Sequence, residues 1–257
     1  MLDAVHAAAA GRPVKLGRKP AQHKAKNLQL RRYLTSRTLA AAPSSVHYGQ
    51  KVAKVGGTFP MYANDRLGDC TCAAAGHHIE VWTANAQTLR VPSETDVERT
   101  YIPGTGNADD GRYLNDVLDY WRKTGIGSDR IEAYAEVDVK NLDEVKAALW
   151  IFGGLYLGVG LPVTAQQQRT WSYVASAPAS DREPYSWGGH CVNATGYTRT
   201  SGMYLVTWGT LIRMTWGFFK RYVDEAFAIV TKDWIETSGV SPTGLRLDEL
   251  LADASSI

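Results

Sequence analysis

The spacing of apolar positions changes part-way along this chain of 257 residues. In the first half it is helical. Cys72, Ala75, Ile79 and Trp82 fall on one face of a 3.6-residue period that opens at Asp69, a candidate N-cap. Leu114, Val117, Leu118 and Trp121 repeat the pattern over 114–123, which stops at Thr124-Gly125. Another helix is expected over 93–101, ahead of a Gly/Asn/Asp loop at 104–111. From residue 133 the pattern shortens to alternation and short apolar runs. These predict strands over 133–137, 155–162, 191–197, 203–208 and 227–231, with one helix, 142–151, capped by Asn141. Residues 164–186, with Gln166-Gln167-Gln168, Pro178 and Pro184, read as a polar loop. Helices first and strands later predict an α+β fold, a helical N-terminal half packed on a C-terminal antiparallel sheet.

Residues 1–45 do not join this pattern. They hold Ala7 to Ala10, Pro13, Pro20 and Pro43, with no sustained apolar period before Leu28, Leu30, Tyr33 and Leu34, so they build no core of their own. Charge sets them apart as well. The whole chain carries only +2, but residues 1–50 contain nine Lys/Arg against a single acid, Asp3, which leaves the remainder with 19 basic and 25 acidic residues. An extended basic arm (1–45) thus precedes an acidic body (46–238), and a tail with a short helix (239–257) follows. Arg12, Lys15, Arg18, Lys19, Lys24, Lys26, Arg31 and Arg32 are the residues that would dock on an acidic surface. A larger protein assembly is the expected partner. Nucleic acid is the weaker candidate because the arm has few aromatics to stack on bases.

At 44% hydrophobic and 21% charged, the body is an ordinary globular composition. No run approaches the length of a membrane span and the start lacks the pattern of a signal peptide, so a cytoplasmic protein, or one carried in a virion, is expected. Three cysteines, Cys70, Cys72 and Cys191, are too few for a disulfide framework and read as free thiols.

The candidate chemistry lies in two short segments. Gly68-Asp69-Cys70 places a cysteine in the first turn of a helix, where the dipole and unpaired N–H groups favour thiolate, although a charged Asp69 beside it would oppose this. Gly188-Gly189-His190 places a histidine on a later strand, and Trp208-Gly209 ends another. A thiol and an imidazole so arranged form a nucleophile and its base. His77, on the cysteine's own helix, reads as a buried structural histidine. Zinc on Cys70, Cys72, His77 and Cys191 is disfavoured because Cys-x-Cys lacks the usual ligand separation, and no phosphate loop or dinucleotide fingerprint occurs. No metal and no cofactor is expected.

The order of these landmarks resembles the papain-like cysteine peptidases. The matching segments are Asn64-Asp65-Arg66-Leu67-Gly68-Asp69-Cys70, Asp110-Gly111 through Gly125-Ile126, the stretch 141–161, Gly188-Gly189-His190-Cys191-Val192-Asn193, and Trp208-Gly209 through Trp216-Gly217. Together they cover roughly residues 55 to 235. The Asn-Asp-x-x-Gly-Asp-Cys start and the Leu-Gly-Arg-Lys-Pro segment at Leu16 to Pro20 look most like little-characterised bacterial and phage-encoded relatives. The resemblance implies Cys70 as nucleophile, His190 as base, and an oxyanion hole from the Cys70 N–H and the Asn64 amide, where such enzymes usually carry glutamine. The asparagine that should orient the histidine is missing: Val206 and Thr207 stand there. Thr207 can accept the imidazole N–H through its hydroxyl, whereas Asn193 alternates onto the other strand face. Gly188, Gly189, Trp187 and Trp208 would border the substrate cleft.

Two functions follow. One is a thiol hydrolase of peptide or isopeptide bonds acting on a peptide or protein substrate. The other is the same fold with decayed chemistry, a structural component of a phage particle anchored by its basic arm. An amidase or transglutaminase-like acyl transferase shares the same residue logic.

Overall fold

The computed structural model describes residues 13–106, 108–238 and 245–256. Arg12, Asn107 in the predicted 104–111 loop, and the start of the tail lie outside the described residues. The described chain is an eight-stranded sheet with helices on both faces. In chain order the strands are β1 Ser45–His47, β2 Ala133–Glu136, β3 Leu155–Leu161, β4 Thr170–Trp171, β5 Gly188–Thr198, β6 Gly202–Thr207, β7 Thr210–Thr215 and β8 Val223–Val230. They lie in the order β2-β8-β3-β5-β6-β7-β4, and β1 adds to β5. Every pair is antiparallel except β4 with β7, which is parallel.

Among the helices, α1 is Ser36–Ala41, α2 Gln50–Lys54, α3 Cys70–Asn85, α4 Glu94–Thr105, α5 Leu114–Lys123, α6 Leu142–Phe152, α7 Ala179–Arg182, α8 Trp216–Tyr222, α9 Lys232–Ser238 and α10 Leu247–Ser255. The pleat of β3 sorts the core into two layers. Leu155, Leu157 and Val159 face a cluster with Trp171, Val192, Leu205 and Phe218, while Tyr156 faces the opposite cluster with Cys191, Phe227, Trp82 and Trp121.

Helix α3 differs from the one-faced helix that its apolar spacing predicts. Every residue except Asn85 is buried. The small run Ala73-Ala74-Ala75-Gly76 allows this, since a Cβ at Gly76 would lie 2.9 Å from the Tyr62 ring. Its polar side chains find partners inside: His77 Nε2 pairs with Pro60 O at 2.9 Å, Thr83 Oγ1 donates to Ile79 O at 2.7 Å, and Tyr62 donates to Glu80 at 2.5 Å. Burial pushes the Glu80 carboxyl up to about 8.

Other elements depart from the sequence reading in detail. β5 begins at Gly188 and so includes the histidine, and β6 ends at Thr207, leaving Trp208 in a turn. β7 was not anticipated, and 164–186 contains β4, α7 and a 3-10 turn at Val163–Gln167. The described parts of the arm and tail pack onto the body. Leu30, Tyr33 and Ala42 enter the core, β1 spans the 45/46 boundary, and Tyr33 reaches Asp253 on α10 at 2.7 Å. No described helix is long and apolar enough to cross a membrane.

Candidate active site

Cys70 is the first residue of α3 and is buried. Backbone N–H groups of Cys191, on β5, and Gly17, in the arm, are directed at its sulfur. These favour the thiolate, but burial dominates and pushes the thiol up to about 12. Asp69 does not cap the helix through its side chain, contrary to expectation. Its carbonyl instead accepts Cys72 N–H at 2.7 Å and Ala73 N–H at 3.0 Å. Burial raises the Asp69 carboxyl to about 8, so it is largely protonated at neutral pH and puts little negative charge beside the thiol.

His190 lies on β5 with its side chain on the face opposite that of Cys191. Its Nε2 is 2.7 Å from Thr207 Oγ1. The ring stacks on Trp208 at 4.4 Å and 22°, with the edge of Trp171 at 6.5 Å. Under this cover burial lowers the imidazole to about 3, and Nδ1 is buried without a hydrogen-bond partner, Cys70 included. Trp208 and Gly209 form the two-residue turn between Thr207 and Thr210 with φ of 46° and 71°. Positive φ at both positions is the geometry of a type I′ hairpin, in which a tryptophan is strained by about 1–2 kcal/mol. The stack on His190 and the 5.6 Å contact with Trp187 hold it there. Asn193, on the other strand face, is buried away from the imidazole.

The arm crosses this site through backbone hydrogen bonds, with Arg18 in an isolated parallel bridge to Arg112. Lys15 N donates to Asn64 O at 2.9 Å, and Asn64 Nδ2 donates back to Lys15 O at 3.1 Å and to Leu67 O at 3.1 Å. Gly17 O accepts Arg112 N–H at 2.8 Å, Lys19 N donates to Arg112 O at 3.0 Å, and Arg18 N donates to Gly189 O at 3.1 Å. The glycines are what let it approach. A Cβ at Gly17 would sit 1.8 Å from Gly68 O, and one at Gly189 would sit 2.1 Å from Arg18 O. Leu16 packs over Gly188, whose φ is +149°.

The acidic surface that the arm meets belongs to its own chain. Lys15 pairs with Asp109 at 2.7 Å, Lys19 with Asp110 at 2.9 Å, Lys24 with Asp116 at 3.0 Å and Lys26 with Asp119 at 3.6 Å. Arg18 is buried against Glu225 and Asp224. Lys15, Arg18, Lys19, Lys24 and Lys26 thus find their counter-charges on the acidic body of the same chain. Arg31 and Arg32 are exposed on a 3-10 turn, Leu30–Arg32.

Of the residues singled out in the sequence, the structure joins Thr207, Trp208 and His190, and brings Trp187 onto Trp208. Cys70 lies against the peptide backbone that follows His190 but shares no hydrogen bond with the imidazole. Arg112, Tyr185, Asp224 and Glu225 were missed. A signal was present in Gly158 and Gly160, two glycines in an otherwise apolar strand, which mark a close approach.

No protein-family model and no curated protein sequence matches this chain. Solved structures do. Xylellain, a cysteine protease from Xylella fastidiosa, superposes with a TM-score of 0.66 at 15% identity, covering 86% of this chain and 97% of its own. The fold is papain-like. A cysteine protease from Carica candamarcensis in complex with E-64 gives a TM-score of 0.55 at 15% identity over 74% of this chain and 99% of its own. Procathepsin B from Trypanosoma congolense gives 0.57 at 12% identity over 86% and 87%. At such identities the likeness speaks for the papain-like architecture, and the chemistry rests on this chain's own residues.

Proposed function

We propose that this papain-like chain is a thiol hydrolase of peptide or isopeptide bonds whose own arm keeps the cleft closed. The observation that carries this reading is the arm itself. An extended polypeptide lies along the site, one of its carbonyls on the Asn64 amide, one of its amides on Gly189 O, and another of its N–H groups at the Cys70 sulfur. A cleft that receives polypeptide backbone in this way is suited to a peptide substrate.

In this reading the Cys70 thiolate forms a bond to the substrate carbonyl carbon while His190 holds the proton it has taken. The oxyanion is met by the Asn64 amide and the Cys70 N–H. The C–N bond then breaks, His190 passes the proton to the leaving amine, and water hydrolyses the thioester with His190 as base. Thr207 takes the place of the usual asparagine on Nε2, and Trp208 shields that bond from water.

A non-catalytic module is the second reading. It is favoured by a thiol raised to about 12 and an imidazole lowered to about 3, which makes both groups neutral at pH 7. In the hydrolase reading the docked arm keeps Cys70 buried, and its release lets the thiol ionise against His190. The test is alkylation of Cys70 across pH in the native chain and in a chain whose arm is loosened by Lys15→Ala and Lys19→Ala, each with and without His190→Ala. A thiolate that emerges below pH 8 on loosening, and disappears with His190→Ala, supports the hydrolase. Labelling indifferent to both changes supports the module.

A further inference from the structure

The buried guanidinium of Arg18 occupies a pocket that is shaped and charged for it. Gly158 on β3 stands opposite Glu225 on β8. Because Gly158 has no side chain, a hole opens above Glu225, and a Cβ there would lie only 2.5 to 2.6 Å from the guanidinium atoms. Gly160, two residues on, makes the same room for the Tyr185 ring, which a Cβ would meet at 2.7 Å.

All three guanidinium nitrogens have acceptors. Nε and Nη2 donate to Glu225 Oε1 at 3.1 and 2.6 Å, Nη2 lies 2.7 Å from Asp224 Oδ1, and Nη1 donates to the Tyr185 hydroxyl at 2.7 Å. The Tyr185 hydroxyl in turn donates to Asp224. The Arg18 side chain is wholly buried and that of Glu225 is 2% exposed. Burial pushes the Glu225 carboxyl up and the Arg18 charge opposes this, so a cation that replaces Arg18 in the pocket regains a pairing that water supplies only in part.

Resting on the reading of this cleft as a substrate cleft, we infer that the Gly158–Tyr185–Asp224–Glu225 pocket selects arginine, and that the substrates are polypeptides with an arginine side chain close in sequence to the bond that is cut. Arg18 occupies that substrate position in the closed chain. Lysine presents a single compact charge that cannot reach all three acceptors, and a neutral isostere leaves Glu225 unpaired.

The pocket is tested without relying on turnover. Arg18→Ala in the full chain removes the guanidinium and leaves the rest of the arm. N-ethylguanidinium, which replaces the lost atoms, should raise the thermal midpoint of this variant and slow alkylation of Cys70. N-ethylurea should bind at least about 100-fold more weakly, and adding Glu225→Gln should remove the guanidinium effect. Equal effects of the two compounds, or an effect that survives Glu225→Gln, would overturn the inference. Arg18→Gln, which keeps most of the volume, serves the same test if the alanine variant does not fold.

Peptides carrying arginine or citrulline at each position then separate the inference from the reading beneath it. Guanidinium binding that depends on Glu225, with no peptide cleaved, sinks the hydrolase and keeps the pocket. Cleavage with citrulline as good as arginine sinks the pocket and keeps the hydrolase.

Discussion

Arg18→Ala should expose the thiol. Among the described arm residues paired with the body, only Arg18 has its charge wholly buried, and breaking a buried ion pair by removing one partner costs about 3–5 kcal/mol. Asp224 is a third exposed and the vacated space admits water, so the low end, about 3 kcal/mol, is the expected loss in arm docking. At 1.4 kcal/mol per decade the open population rises roughly 10²-fold. With Cys70 reached only when the arm lifts, its alkylation rate scales with that population. Iodoacetamide labelling near pH 7.5, with the modified site identified by mass spectrometry, should therefore accelerate roughly 10²-fold at Cys70. The buried thiols Cys72 and Cys191 serve as internal controls. An unchanged Cys70 rate would refute the idea that Arg18 holds the arm, and equal acceleration at all three cysteines would mean that the variant unfolds instead of opening.

Thr207→Val removes the acceptor 2.7 Å from His190 Nε2 and should cost about 1–3 kcal/mol of stability. In a chain with an opened arm it should also lower the His190-dependent labelling of Cys70, a readout that a packing defect alone would leave in place. Glu80 is raised to about 8 in the fold against an ordinary value of 4.5. An unfolded chain releases this proton first, so stability falls as pH rises from about 4.5 to 8, and Glu80→Gln should flatten that slope in denaturant melts, an effect on the order of a few kcal/mol. Asp109 runs the opposite way. Burial opposes its charge, but Lys15, the Tyr101 hydroxyl at 2.6 Å and Gly68 N–H at 2.7 Å outweigh this and hold its carboxyl below the ordinary 3.8. Its contribution to the docked arm is complete above that value and lost as pH falls through the depressed one, so hydrogen exchange of the 15–19 amides should quicken only in strong acid. Asp109→Asn should loosen them at neutral pH.

What the chain's pattern determined alone was considerable. Helical spacing located α5 and the start of α3, alternation and short apolar runs located β2, β3, β5, β6 and β8, and Asn141 capped α6 as expected, accepting from Asp143 and Glu144 N–H. These are local signals, read from propensity, period and caps. The segments holding Cys70 and His190 stood out because glycines and a helix start leave marks in sequence, and Thr207 because it stands where the resemblance to the papain-like peptidases implies the partner of the histidine. The all-round burial of α3 was not legible: whether Glu80, His77 and Thr83 can be dry depends on partners such as Tyr62 and Pro60 that only folding supplies. The destination of the arm was not legible either. A string of nine cations specifies attraction to negative charge and nothing about whose, because Coulomb attraction has no memory of chain order. Only the tertiary structure decided it, by setting Asp109, Asp110, Asp116 and Asp119 along one path, with Glu225 and Asp224 beneath a missing side chain at Gly158.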